Sequence, residues 1–188
     1  MGSRYTTNER PAQQLEILDK WMHILGVMNN EEQVSFMVDH MLVKLGKYLR
    51  ILGYDAAWDS SIRTHELITR ANREHRVFLT RNTRLPSQYP TPQALLMIQS
   101  TDPVEQIEQV ASTFRLSDKN LFSKCIRCNV GLEPVADKTS IQDRVHPNVY
   151  GRYEHFFQCP SCGTVFWKGS HVRNTCRKLK VENRAERS

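Results

Sequence analysis

The chain has 188 residues, 39% hydrophobic and 24% charged, with a net charge of +6. That length suits one medium domain, or a domain with a small module, and no apolar run approaches the about 20 residues that cross a bilayer. The N-terminus has no apolar signal-peptide core, so a reducing intracellular compartment, cytoplasm or nucleus, is expected, and no membrane partner. The positive excess is uneven. Residues 1–124 carry 15 basic and 14 acidic side chains, and residues 125–188 carry 11 and 6. A basic second half suits phosphate backbones or an acidic partner, and a solubilising surface explains it about as well.

In chain order, residues 1–11 are polar. From 13 to 28 the apolar positions Leu15, Leu18, Trp21, Met22, Leu25 and Met28 recur at three and four, which predicts an amphipathic helix. It reads first as packing on the domain behind it and second as a docking helix. Val34-Ser-Phe-Met-Val38 predicts a buried strand. Residues 41–52 predict a helix with Leu42, Leu45, Leu49 and Leu52 on one face and Gly53 at its end. Residues 54–58 predict a strand, 64–74 a helix with Leu67, Ile68 and Ala71 inward, and 76–80 a strand. A loop with Pro86, Pro90 and Pro92 follows, then a strand over 94–98 and a helix over 103–114. Strands alternating with helices imply crossover units, and so an α/β fold with a mainly parallel sheet covered on both faces.

From Leu116 the pattern changes. Cys125-Ile-Arg-Cys128 and Cys159-Pro-Ser-Cys162-Gly163 are two Cys-x-x-Cys pairs, and each turn aims two sulfurs at one centre. Four thiolates are the set a structural Zn²⁺ takes, and a closed site of that kind folds a chain without doing chemistry. Such a site supplies roughly 10 to 16 kcal/mol at neutral pH. Two disulfides are the lesser alternative, and Cys176 reads as a free thiol. The tail 172–188 holds Arg173, Arg177 and Lys178 and reads as a terminal helix or a basic arm. The expected divisions are 1–33, a polar start plus amphipathic helix; 34–118, the α/β domain; 119–172, the metal module; and 173–188, the basic tail.

In open parallel sheets, ligands bind beyond the carboxyl ends of the strands. Asp39, Thr80-Arg81-Asn82 and Ser100-Thr101-Asp102 should converge there. A nuclease needs several carboxylates at such a rim to hold Mg²⁺ or Mn²⁺ and activate water. Asp39 and Asp102 are the candidates, with Glu66 and Asp59 weaker. Asp39 reads equally as site residue and helix cap, and Asp102 reads first as a cap. Bases are expected around the same rim: Lys44, Lys47 and Arg50 on the outward side of the first helix, then Arg63, Arg70, Arg73, Arg76, Arg81 and Arg84. A solvated face is the plainer alternative.

Further residues carry a resemblance. Phe36-Met-Val-Asp39-His-Met-Leu-Val-Lys44-Leu-Gly-Lys-Tyr-Leu-Arg50-Ile-Leu-Gly-Tyr-Asp55 is similar to the opening of the PIN-like ribonuclease domain at the C-terminus of mutator-type (mut-seven) exonucleases. Arg76-Val-Phe-Leu-Thr-Arg81, Ser100-Thr-Asp102-Pro, Cys125-Ile-Arg-Cys128-Asn, Arg144-Val-x-Pro147, Tyr153-Glu-x-Phe156, Cys159-Pro-Ser-Cys-Gly163 and Val165-Phe-Trp-Lys168-Gly-Ser-His171 extend it over about residues 34–172. The resemblance implies a PIN-like fold fused to a zinc ribbon, and a link to RNA processing or small-RNA silencing. The chain departs from the family pattern where an acid is usual: Asn82 stands after the third strand and Thr64 before the second helix.

These residues imply a degenerate nuclease site at Asp39, Asp102 and Asn82. RNA, single-stranded or non-specific, would meet Lys44, Lys47, Arg50, Arg81, Lys168, His171, Arg173, Arg177 and Lys178, and a protein partner would dock on the apolar first helix or the exposed ribbon edges. If the chain is a fragment of such an exonuclease, the cutting domain lies in another part. Two alternatives stand beside this: an active Mg²⁺- or Mn²⁺-dependent endoribonuclease using Asp39 with Asp102 and Asn82, and a protein scaffold with no nucleic-acid role.

Overall fold

A computed structural model describes residues 34–116, 120–170 and 177. The expected helix over 13–28, with His171, Arg173, Cys176 and Lys178, lies outside the described residues.

The first half is a three-layer α/β unit. Its strands are β1 Phe36–Val38, β2 Ala56–Ala57, β3 Val77–Thr80 and β4 Leu95–Met97. They pair in the order β2-β1-β3-β4, every pair parallel. The helices are α1 Val43–Ile51, α2 Thr64–Arg73, the short α3 Leu85–Gln88 and α4 Pro103–Phe114. A 3-10 turn, His40–Leu42, leads from β1 into α1. Alternation along the strands divides the core between two faces. Phe36, Val38, Val77 and Leu79 pack with Leu42, Leu45 and Leu49 of the first helical segment and with Ile107 and Val110 of α4. Met37 and Phe78 point the other way, onto Leu67, Ile68, Ala71 and Leu85. This is the mainly parallel, helix-flanked sheet that the sequence pattern predicts, and it is consistent with a PIN-like domain. The predicted proline-rich loop also contains α3, with Pro86 in its first turn, where a missing N–H costs nothing.

Gly53 closes α1 as expected. Its φ is +90°, its N–H reaches Arg50 O and the Tyr54 N–H reaches Leu49 O, which together form a Schellman cap. A Cβ there would lie 2.1 Å from the carbonyl oxygen of Asn120. The glycine therefore also lets the second half pass close against the helix end.

The second half holds a three-stranded antiparallel sheet of β5 Glu133–Pro134, β6 Phe156–Gln158 and β7 Val165–Trp167, in that order. Between β5 and β6 lie a 3-10 segment, Lys138–Arg144, and α5, Pro147–Arg152. The long insert between the cysteine pairs is thus structured, with Ile141 and Phe156 buried in it. No helix among the described residues is long and apolar enough to cross a membrane.

Candidate metal centre and sheet rim

The two Cys-x-x-Cys turns fold alike. In the first, Cys125 N–H donates to Val130 O and Asn129 N–H to Cys125 O; in the second, Cys159 N–H donates to Thr164 O and Gly163 N–H to Cys159 O. The residue after each second cysteine has positive φ, +66° at Asn129 and +69° at Gly163. Glycine and asparagine are the residues that adopt this region most readily. The four Sγ atoms of Cys125, Cys128, Cys159 and Cys162 lie within 4.8 Å of one another. Cys125 Sγ and Cys162 Sγ are 3.8 Å apart. A tetrahedron with metal–sulfur bonds of about 2.3 Å has edges of about 3.8 Å. The donor set therefore fits a tetrahedral structural metal such as zinc.

Burial and hydrogen bonds shift the thiols in opposite directions. Burial pushes the Cys125 thiol up to about 12, whereas hydrogen bonds with Thr164 draw Cys162 down to about 6. Cys128 is raised, first by its contact with the Cys162 sulfur and then by burial. Four thiolates this close repel one another, and a divalent cation reverses that balance. The Cys128 N–H donates to Cys125 Sγ at 3.4 Å, which orients one sulfur.

The first knuckle is fastened to the sheet domain at the amino ends of the strands. Arg50 donates from Nη1 to the carbonyls of Ile126 (2.8 Å) and Arg127 (2.9 Å), and from Nε to Ala56 O (2.8 Å). Its guanidinium lies 3.6 Å from the centre of the Trp58 ring. Asn129 donates to Asp55 Oδ1 (2.6 Å) and accepts from the Ala56 N–H (3.2 Å). Arg76 Nη1 completes the group at 2.5 Å from the same Asp55 oxygen. Burial would raise the Asp55 carboxyl, but the Arg76 and Asn129 hydrogen bonds overcome it and hold the group below the ordinary carboxylate range.

This latch corrects the expected outward placement of Arg50, which is 4% exposed. The Arg50 end of the helix face is covered by a segment some 76 positions away. The expected gathering of bases at one rim is corrected too. In a parallel sheet the crossover helices run back against the strands, so the C-terminal end of α2 and the start of β3 lie at the amino end. Arg70, Arg73 and Arg76 are there, paired with Glu74 at 2.7, 3.7 and 2.6 Å. Lys44 and Lys47 are exposed, Arg81 is half-buried, and Lys168 and Arg177 are exposed in or beyond the second half.

At the carboxyl rim Asp39 is 4% exposed. Its Oδ1 accepts from the His40 N–H (2.7 Å) and its Oδ2 from the Thr80 hydroxyl (2.5 Å). Thr80 Oγ1 in turn accepts from the Asn82 N–H (3.0 Å). The chain of bonds brings Asp39, Thr80 and Asn82 together, as the strand-end argument expects. Asn82 Oδ1 accepts from the Arg84 N–H ahead of α3 (3.1 Å). Asp102 caps α4 through the N–H groups of Val104 (2.7 Å) and Glu105 (3.2 Å), the role favoured from sequence. Glu66 accepts from the Arg63 N–H (2.7 Å), and Asp59 from Ser61 (3.0 Å). Among the described residues, the cysteine set is the one group of three or more His, Cys, Asp or Glu side chains with converging ligand atoms. Arg81 Nε is buried without a hydrogen-bond partner.

Sequence reasoning missed Asn129 and Asp55. The signal available was positional: Asn129 occupies the slot that Gly163 fills in the second knuckle. An asparagine there supplies the same backbone and adds a side chain that can reach out.

A family model described as Mut7-C RNAse domain matches residues 34–179. No curated protein matches the chain, and no solved structure does.

Proposed function

The chain belongs to the Mut7-C RNase domain family, and from that premise, which suggests a nuclease-related role, we propose that it is a catalytically degenerate PIN-like module, held together by a structural zinc, that binds RNA. It would serve an RNA-processing or small-RNA silencing exonuclease in the cytoplasm or nucleus, and dock a protein partner there. The observation that carries the loss of catalysis is the state of Asp39. Among the described residues it is the one buried carboxylate at the rim, and both of its oxygens already accept hydrogen bonds from the protein. Asp102 has a capping role, and the position after β3 is the uncharged Asn82. A divalent ion doing phosphodiester chemistry needs more negative charge than this.

RNA binding draws its support from charge. Residues 125–188 carry five of the six net positive charges. Lys44, Lys47, Arg81, Lys168 and Arg177, with His171, Arg173 and Lys178, are the proposed contacts. Arg50 leaves that set, because its donors hold carbonyls of the first knuckle. Contacts of this kind are sequence-tolerant and salt-dependent. The test is binding and cleavage of single-stranded RNA by one metal-loaded preparation, with Mg²⁺ and Mn²⁺ varied. Binding that weakens with salt, without cleavage, is expected. Absence of binding at low salt removes the RNA role in favour of a protein scaffold. Metal-dependent cleavage abolished by Asp39→Ala would instead make the chain an active endoribonuclease using Asp39, Asp102 and Asn82.

A further inference from the structure

Beside the second knuckle lies a hollow of about 410 Å³, with Arg144, His146, Gly163, Thr164 and Trp167 in its wall and no carboxylate among the described residues that line it. Its size is that of a site for a small organic group. Three chemically different surfaces meet there. Arg144 ends the 3-10 segment, and its Nη2 donates to the carbonyl of Gly163, which fixes the guanidinium against the second knuckle. The rest of the planar fork stays suited to an anion. His146 Nδ1 accepts from the Asn148 N–H (3.2 Å). With Nδ1 an acceptor, the neutral ring carries its proton on Nε2, which is then a donor. The half-buried Trp167 is flanked by Tyr153 and Phe156, ring centres 6.5 and 6.3 Å away. Gly169 lies so close that a Cβ would be 2.7 Å from the indole nitrogen. The indole is thus a supported flat wall, not a loose surface side chain.

A guanidinium and an imidazole donor beside a fixed indole match a phosphate joined to a planar ring. We infer that this hollow seats one nucleotide unit of a single-stranded RNA, its phosphate on Arg144 and His146 and its base against Trp167. The inference deepens the RNA-binding reading above and rests on it. An acidic peptide would satisfy the guanidinium and the imidazole donor but leave the indole without a planar partner. Stacking accepts every base, so a seat of this kind adds affinity without sequence preference.

The experiment uses the full, metal-loaded chain, a short oligouridylate as probe and polyglutamate as competitor. Tryptophan emission should fall as the RNA binds. The chain has three tryptophans, and the quench should disappear in Trp167→Phe while remaining in Trp58→Phe. Trp167→Leu should weaken binding about 5- to 150-fold, the range for one lost stacked base. Arg144→Gln, an exposed change, should weaken it about tenfold with metal content and circular dichroism unchanged. If the wild type binds RNA and both Arg144→Gln and Trp167→Phe keep its affinity and quench, the seat is wrong and the RNA reading survives. Polyglutamate that competes fully and binds Trp167→Leu as well as wild type overturns the nucleotide in favour of an acidic peptide. No RNA binding by the wild type at low salt overturns both readings.

Discussion

At the carboxyl end of the parallel sheet, Asp39 commits both oxygens to a backbone N–H and a threonine hydroxyl. At the amino end, Asp55 takes hydrogen bonds from Arg76 and Asn129, and Arg50 beside it reaches two carbonyls of the metal knuckle. The first end is where an enzyme of this topology would gather charge, and it has little. The second end is where a scaffold would be reinforced, and it carries a connected network joining two halves. The difference teaches that the connected polar network at the amino end joins the sheet domain to the first cysteine knuckle, whereas the carboxyl rim has no comparable network among the described residues.

The largest effect should come from the metal. Stripping it with a chelator, or Cys125→Ser, should unfold the second half, since binding at such a site is worth about 10 kcal/mol or more. The first half, with its own two-faced core, should keep its secondary structure. Circular dichroism and metal content read both. Collapse of the whole chain would mean that the two halves are one cooperative unit. Gly53→Ala comes next. It forces a side chain into positive φ and onto the Asn120 carbonyl, and should cost about 3 kcal/mol in denaturant unfolding. Arg50→Lys should cost about 2 to 3 kcal/mol, because a lysine cannot reproduce the fork to Ala56, Ile126 and Arg127 or lie flat on Trp58. The same variant keeps the charge, so RNA affinity should stay within about twofold when measured below the unfolding transition. A large loss of affinity with unchanged stability would return Arg50 to an RNA surface.

Acid should release the latch at its weakest charge. The Asp55 carboxyl is depressed in the folded state, so its contribution is complete above the unfolded value of 3.8 and is lost as pH falls through the lower folded value. Stability of the wild type should therefore decline below about pH 4 more steeply than that of Asp55→Asn, which lacks this group. Parallel acid profiles would show that Asp55 carries no such linkage. The smallest effect is expected at the rim. Asp39→Asn keeps acceptor capacity for His40 and Thr80 and should cost about 1 kcal/mol, with RNA affinity unchanged.

Much of this architecture is local enough to read from sequence. The Leu42, Leu45, Leu49 and Leu52 stripe is buried as its spacing predicts, and Gly53 ends the helix. The four cysteines meet as their two short spacings predict. Arg50 could not be read the same way. Its spacing from Lys44 and Lys47 says only that the three fan over one side of a helix. What covers Arg50, and leaves Lys44 and Lys47 exposed, is a knuckle far along the chain. Arg76 fails for a related reason. Proximity in sequence to β3 is not proximity to the rim, because the residue precedes the strand instead of following it. Asn129 looks like a turn residue and is one, but its side chain also joins two halves.

Hydrogen exchange read by mass spectrometry, with and without bound single-stranded RNA, tests the division of labour most directly. RNA should slow exchange in residues 125–168, above all around 144–146 and 163–167, and leave 38–42 and 80–85 at the sheet rim unchanged. Protection concentrated at the rim, with the metal-bound half unaffected, would contradict it.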